Sequence, residues 1–454
     1  MKDIFKARQG KLKIGLFGLG KSNLGVLELL KSRISDFELT VRSDKEICEK
    51  LEADRCFFGK RAADSIDEDV LFLSPSVRRD RAEFSAAVAR GTHFSSDAEL
   101  FFSLFNGDTY AVTGSDGKST TTYLISEMLN NSGVAALPAG NFGRSLCSLA
   151  DTSLTVVSEL SSFQLQYFAP RSFSAVITNV TPNHLNWHTS LSEYIQAKMN
   201  ITRNARRITV DYDSELLRRA LSKKKLFAAV SLELEHSKLR ERCEADNYLT
   251  LRDDTVYLNG SPYFSISRAV RRESYNVRNY MLASAATLGI AAPSAITQTV
   301  ESFGGLPHRA ECIAKKDGIS YINSSIDSTP ERTLKTLRAL RGDTAVIICG
   351  VGKGLSLSTL ACELPRLTVG AVLMGEIGRE LYELLSANND GYRFAYTESM
   401  REAISSAEAY LTCGGNLVLS PSGTSFDNYK NFEQRGADFK NSVLSHLNNK
   451  KDKE

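Results

Sequence analysis

An excess of one charge is missing from this sequence: 56 Lys and Arg stand against 53 Asp and Glu, a net +3 over 454 residues. So close a balance provides no broad basic face for nucleic acid and no polybasic surface for anionic lipid, so any anion must be bound locally. Paired cysteines are missing as well. The eight cysteines lie far apart with no C-x-x-C among them, which removes the usual zinc spacing and a disulfide framework and favours a reducing compartment. No apolar run approaches the ~18 residues that a membrane span needs. The opening MKDIFKARQGKLKIGLFGLG carries its short apolar run straight into a Gly-rich turn, without the h-region and cleavage site of a signal peptide. A cytoplasmic protein is expected.

What is present fits packed domains: 42% hydrophobic and 24% charged residues, in a length that suggests about three domains of roughly 150 residues. Lys13 to Phe17 is a short apolar run ending at Gly18, and helical spacing of Leu24, Leu27 and Leu30 follows. With strand-like runs at Phe37–Val41 and Val70–Leu73, residues 1–105 read as a Rossmann-like α/β domain. Residues 106–305 read as a central phosphate-loop α/β domain with strands at Tyr110–Thr113, Leu154–Val157 and Ala175–Ile177, and a small antiparallel patch between Ser231 and Val270. Residues 306–454 repeat the alternation, with strands at Ala345–Ile348, Ala371–Met374, Phe394–Tyr396 and Leu417–Leu419, as a second Rossmann-like domain. Its first helix is expected to start at STPE, where Ser328 and Glu331 have capping-box spacing.

The strongest local signal is Thr113-Gly114-Ser115-Asp116-Gly117-Lys118-Ser119-Thr120, between a strand and a helix. Backbone N–H groups of such a loop face phosphates, Lys118 supplies a point charge, and Ser119 supplies a hydroxyl for Mg²⁺. It is a short relative of the Walker pattern, because Val112 stands where that pattern has its first Gly. A plain Gly-rich turn is the bland alternative. Glu159 and His184 each follow a strand, and parallel strands deliver such residues to one sheet edge. Taken singly, they are a strand-end acid and a capping or core histidine. The His184–His188 spacing lacks the intervening Glu of a zinc protease. In the first domain, GLGKSNLG places Gly18, Gly20, Lys21 and Ser22 where a nucleotide pyrophosphate can sit, with Ser43 and Asp44 at the next strand end. Asn23 stands where a dinucleotide fingerprint has its third Gly. In the third domain, Lys353 and the hydroxyls of Ser420–Ser425 suit a small dicarboxylate.

Three α/β units, the middle one opened by T-G-x-x-G-K-S-T, resemble the Mur ligases and their folylpolyglutamate synthetase relatives over nearly the whole chain. GNFG at Gly140–Gly143, ELSSFQL at Glu159–Leu165, LPHR at Leu306–Arg309 and FEQRG at Phe432–Gly436 are similar to the D-glutamate-adding branch. The resemblance implies an ATP-dependent amide ligase acting on UDP-N-acetylmuramoyl-L-alanine through an acyl phosphate. Lys118 and Ser119 would hold ATP phosphates and a first Mg²⁺, which Glu159 also meets; His184 would serve a second Mg²⁺. Lys198 matches a lysine that is carbamylated in the family. Asn141 would contact the UDP-linked substrate, Asn276 and Asn279 the adenine, and Arg309 the nucleotide. Ser328, Lys353, Ser425 and Phe432 match positions for the incoming D-glutamate.

The sequence departs from the family where N-D-S-K-A-T is usual and Asn323-Ser324-Ser325-Ile326-Asp327-Ser328 stands, with Asp327 a candidate to replace the lost acid. Tyr275, Asn186, Asp116 and Val351 also stand in place of a usual His, Asp, Asn and acid. Domain closure is expected, with hinges near Asn106-Gly107 and Gly304-Gly305, in a monomer without nucleic-acid or membrane partners. Another amide ligase of this fold, or a UDP-sugar-binding homologue without catalysis, is the alternative. A folate ligase would begin near its phosphate loop, not a hundred residues before it.

Overall fold

The computed structural model describes residues 11–44, 52–185, 187–352, 355–387, 391–412, 414–425 and 427–451. Three sheets organise it. The first contains β1 (Leu12–Phe17), β2 (Phe37–Ser43), β3 (Arg55–Phe58), β4 (Val70–Leu73) and β5 (His93–Ser95), all parallel, in the order β3-β2-β1-β4-β5. Parallel strands are covered on both faces, which is why β4 is a run of four apolar residues, all buried. The crossover helix Lys21–Arg33 buries Val26, Leu29 and Leu30, the i, i+3, i+4 stripe of a helix lying on a sheet. Asn23 is fully buried, and its amide donates to the carbonyls of Phe17, Gly18 and Phe72 at 3.1, 2.7 and 3.2 Å. Here a side chain pins the turn where a third glycine would have allowed close backbone approach.

The second sheet contains β6 (Thr109–Thr113), β7 (Ala136–Gly140), β8 (Thr155–Glu159), β9 (Arg171–Ile177), β10 (Asn204–Asp211), β11 (Leu226–Ser231), β12 (Ala245–Arg252), β13 (Thr255–Leu258) and β14 (Ser261–Ser265). Its order is β14-β13-β12-β11-β10-β9-β6-β8-β7. The expected antiparallel patch is an extension of this sheet, because β12 pairs parallel with β11 before β13 and β14 fold back antiparallel. Each reversal uses a two-residue turn, Asp253-Asp254 and Asn259-Gly260, the second with positive φ at both residues as a type I′ hairpin requires.

The third sheet contains β15 (Glu311–Lys316), β16 (Ile319–Asn323), β17 (Thr344–Cys349), β18 (Gly370–Leu373), β19 (Phe394–Tyr396) and β20 (Gly415–Ser422). It is ordered β15-β16-β20-β17-β18-β19, with only β15 antiparallel. The first helix after β16 spans Pro330–Ala339, and its N-cap is Thr329, not Ser328; the Thr329 hydroxyl accepts from Arg332 N. Proline at the first helical position leaves Thr329 as the last residue with extended backbone, and that is where the cap must sit.

The chain divides into two compact units, 1–302 and 303–454. One hydrophobic cluster runs from Ile14, Val26 and Leu30 through Phe105 to Leu146, Val156 and Ile177, so the first two sheets share a core. The Asn106-Gly107 junction therefore lies inside one unit, whereas Gly304-Gly305 lies at the boundary between units. No helix of the described residues is long and apolar enough to cross a membrane.

At the end of β10, Asp211 is fully buried, with Arg278 at 3.4 Å and Asp213 nearby. Burial, only partly offset by Arg278, pushes its pKa up to about 7. A carboxyl whose folded pKa lies above its unfolded value contributes stability below the unfolded pKa and loses it as pH rises through the folded one. Between pH 4 and 7 the wild type should therefore lose roughly 1.4 kcal/mol per pH unit relative to Asp211→Asn, as urea unfolding would measure. A pH-independent difference between the two proteins would contradict this.

Candidate active site

Register brings the strand ends together. Val112 lies opposite Glu159 and Val176, Thr113 opposite Ile177, and Gly140 opposite Glu159, so the residues after β6, β7, β8 and β9 emerge at one edge of the sheet. The loop after β6 needs its glycines. Gly114 has φ +150°, and a Cβ there would lie 1.9 Å from Thr178 Oγ1; Gly117 has φ +77°, and a Cβ there would lie 2.5 Å from Asn279 Oδ1. Asn179 Oδ1 accepts from Asp116 N at 2.9 Å and the Thr178 hydroxyl donates to Asp116 O, so the loop is held from β9's end. The helix Lys118–Asn130 has no side-chain cap, which leaves its N-terminal amides for an anion. Ser119 and Thr120 lie half-buried in its first turn.

Two lysines converge on one carbonyl. Lys118 Nζ donates to Gly114 O at 3.0 Å and Ser115 O at 2.8 Å, and Lys198 Nζ donates to Gly114 O at 2.7 Å. Lys198 is 2% exposed. Burial first, then the Lys118 cation, holds its pKa well below the usual lysine value. An amine biased toward its neutral form is the species that takes up CO₂. Tyr194, one turn earlier on the same helix Leu191–Met199, packs its ring 4.6 Å from Lys198 Nζ and places its OH 2.7 Å from Ser115 Oγ. The sequence reading missed Tyr194, although its i, i+4 spacing to Lys198 put both on one helix face.

Glu159 is 1% exposed. Its Oε1 accepts from Asn141 Nδ2 at 2.8 Å, while its Oε2 is buried without a hydrogen-bond partner. A carboxylate oxygen left unmatched in the interior is costly unless a cation completes it. His184 is exposed, in a left-handed conformation at φ +56°, with Phe163 edge-on at 5.0 Å. Partial burial, then Lys198 and Lys118, depress its pKa, which favours the neutral imidazole a metal needs. His188 turns into the core instead, its Nε2 2.9 Å from Ser162 Oγ, and burial takes its pKa down to about 4. Among the described residues no three His, Cys, Asp or Glu side chains gather as a cage. A Mg²⁺ that keeps waters and shares phosphate oxygens needs only one or two carboxylates, so the unpartnered Oε2 of Glu159 suits one such ion.

Asn279 faces this loop, its Oδ1 accepting from Thr121 Oγ1 at 3.2 Å, and Asn276, on the same helix Ser274–Ala286, donates to Glu273 at 2.9 Å. In the first sheet, Gly18 (φ +85°) closes β1, and Gly20, Lys21 and Ser22 begin the next helix, beside Ser43 at the end of β2. Ser22 hydrogen-bonds the buried Asp97.

In the second unit, Arg435 is 1% exposed and donates to Ser325 Oγ and O and to the carbonyls of Gly423 and Thr424, while Ser325 Oγ donates to Phe432 O. This draws Phe432 and buried Ser425 toward the end of β16. Ser328 lies in the turn before Pro330, and Arg309 is exposed in the turn before β15. Lys353 lies outside the described residues. Asp327 is committed within the unit: its Oδ2 accepts from Ser420 Oγ at 2.9 Å and Thr336 Oγ1 at 2.7 Å. Those bonds tie the turn before the helix Pro330–Ala339 to β20.

Residues 112–287 match the Mur ligase middle domain. A UDP-N-acetylmuramoylalanine–D-glutamate ligase from Ruminiclostridium cellulolyticum is 32% identical, over 97% of this chain and 98% of the relative. One from Clostridium kluyveri is 33% identical, over 95% and 96%. Among solved structures, a UDP-N-acetylmuramate–alanine ligase from Thermotoga maritima shares the fold, with TM-score 0.51, 18% identity and coverage of 96% and 99%. Since the likeness to the curated relatives runs from end to end and includes the phosphate-loop domain just described, this chain belongs to the Mur ligase family.

Proposed function

We propose that the chain is an ATP-dependent ligase that joins D-glutamate to UDP-N-acetylmuramoyl-L-alanine in peptidoglycan synthesis, releasing ADP and phosphate. The observation that carries this reading is the meeting of Lys118 and Lys198 on the Gly114 carbonyl, beside the unpartnered Oε2 of Glu159. The Lys118 cation and the uncapped amides that open its helix make a site for a polyanion, and an orphaned carboxylate oxygen beside them is a site for that polyanion's counter-ion.

In this mechanism the substrate carboxylate attacks the γ-phosphorus of ATP and ADP departs. The D-glutamate amine then attacks the acyl carbon of the acyl phosphate, loses a proton, and displaces phosphate. Lys118 and the uncapped amides at the start of its helix, in the loop from Gly114 to Thr120, hold the phosphates in line and stabilise charge on the transferred phosphoryl oxygens. Ser119 and Glu159 would hold one Mg²⁺, and His184 with carbamylated Lys198 a second; the ions supply charge neutralisation at the phosphates. Asn276, Asn279 and Arg309 serve the nucleotide. Gly18, Gly20, Lys21, Ser22, Ser43 and Asn141 serve the UDP-linked substrate, and Ser328, Lys353, Ser425 and Phe432 serve D-glutamate. The working protein is a cytoplasmic monomer of three domains, 1–105, 106–305 and 306–454, hinged at Gly304-Gly305.

Purified protein with ATP, Mg²⁺ and UDP-N-acetylmuramoyl-L-alanine is expected to release phosphate on addition of D-glutamate and not of L-alanine, L-glutamate or meso-diaminopimelate. Release with another acceptor would indicate a different amide ligase. Nucleotide binding without turnover for any acceptor would indicate a homologue that has lost catalysis.

A further inference from the structure

Between the turn at Gly18 and the phosphate loop runs a continuous line of contacts, all within the first compact unit. Ser74, at the end of β4, donates its N–H to Phe17 O at 2.9 Å, and its hydroxyl closes on Gly18. Four residues later Arg78 leaves the first sheet's edge and grips the second domain. Its guanidinium donates to Trp187 O at 2.7 Å and to both oxygens of Glu193 at 3.2 and 2.9 Å, and lies 4.9 Å over the Trp187 ring. Trp187 answers by donating Nε1 to Ser76 O at 2.9 Å. Asp80 holds the other edge of the guanidinium, at 2.8 and 2.6 Å.

Both ends of this clamp continue to the chemistry. Trp187 closes a turn onto His184 O at 3.0 Å and packs at a tilt on Phe163, ring centroids 4.3 Å apart; Phe163 also meets the His184 ring. Glu193 accepts from Thr189 N and opens the helix that carries Tyr194 to Ser115 and Lys198 to Gly114. A planar fork that is bidentate to a carboxylate and stacked on an indole fixes both distance and angle, which a lysine's point charge would not.

We propose that Arg78 is a positioning residue: by clamping Trp187 and Glu193 to the loop behind Gly18, it makes occupancy of the UDP-linked substrate's turn and occupancy of the phosphate loop mutually reinforcing. This inference rests on the assignment of those two turns made above. Coupling between sites is reciprocal, so each ligand must tighten the other by the same factor. The clamp needs no contact with either ligand.

Trp187 is the single tryptophan of the chain, so its emission reports the clamp without added labels. In the full-length wild type, adding UDP-N-acetylmuramoyl-L-alanine alone is expected to shift that emission. Calorimetric titration with a non-hydrolysable ATP analogue and Mg²⁺, with and without the UDP-linked ligand, is expected to show tightening of about fivefold or more. Arg78→Met is expected to bring the factor close to one while each ligand alone binds as before, and Arg78→Lys to restore only part of it. Glu193→Gln, read in the same way beside its unfolding transition, is the second variant. An unchanged Trp187 emission, independent binding of the two ligands by the wild type, or a full coupling factor in folded Arg78→Met would overturn the proposal. Wild-type protein that binds neither ligand would instead overturn the assignment of the two turns.

Discussion

Lys118→Ala is expected to lower turnover by at least about 10³-fold, roughly 4 kcal/mol of transition-state stabilisation, with the unfolding transition little changed. The magnitude follows from the task. Phosphoryl transfer leaves a protein little to do beyond positioning and charge stabilisation, and Lys118 is the cation that opens the helix at the loop. Its Nζ donates to the loop's own carbonyls at Gly114 and Ser115, and the residue is half-buried, so its loss from the ligand-free protein removes loop contacts and little core packing. It also removes the neighbouring charge that depresses the pKa of Lys198. Steady-state phosphate release beside urea unfolding measures both quantities. A variant within tenfold of wild-type turnover would remove the phosphate-loop assignment.

Glu159→Gln is expected to move activity and stability in opposite directions. Turnover should fall about 10²- to 10³-fold, because the amide cannot offer a cation the charge that the buried Oε2 now holds without a partner. The ligand-free protein should be at least as stable as the wild type, since an unmatched interior charge has been removed while the Asn141 amide keeps an oxygen to donate to. Functional sites store unfavourable groups in this way. Equal loss of activity and stability would mean that Glu159 is structural. Chelation of Mg²⁺ should abolish the turnover of the wild type and the residual rate of the variant alike, because the second ion, at His184 and Lys198, does not depend on Glu159.

Much of the site was legible because strand ends and turns are local. TGSDGKST lies between β6 and a helix as its composition requires, and the Asp253-Asp254 and Asn259-Gly260 turns fall where their residue types point. What was not legible depends on partners far away in sequence. Lys198 sits in EYIQAKMNI, an unremarkable amphipathic stretch, and only contact with Gly114, 84 residues away, makes it a buried amine. β10, NARRITVD, hid its strand behind charges because only its last three residues are buried. Asn23 looked like a broken fingerprint until its amide was seen to hold three carbonyls, one of them 49 residues off. Asp327 reads as a spare acid in the sequence, which does not show that its Oδ2 also accepts from Ser420, 93 residues on. Ser328 and Thr329 compete for one cap within a single turn, a choice that spacing alone does not decide.

The central claim is that the backbone from Gly114 to Thr120 wraps a triphosphate beside Glu159 and His184. A crystal structure of the protein with Mg²⁺ and a non-hydrolysable ATP analogue tests it most directly. The prediction is that Lys118 Nζ exchanges the Gly114 and Ser115 carbonyls for phosphate oxygens, with a metal ion against Glu159 Oε2. A nucleotide bound elsewhere, with Lys118 still on those carbonyls and Glu159 Oε2 still without a partner, would contradict it.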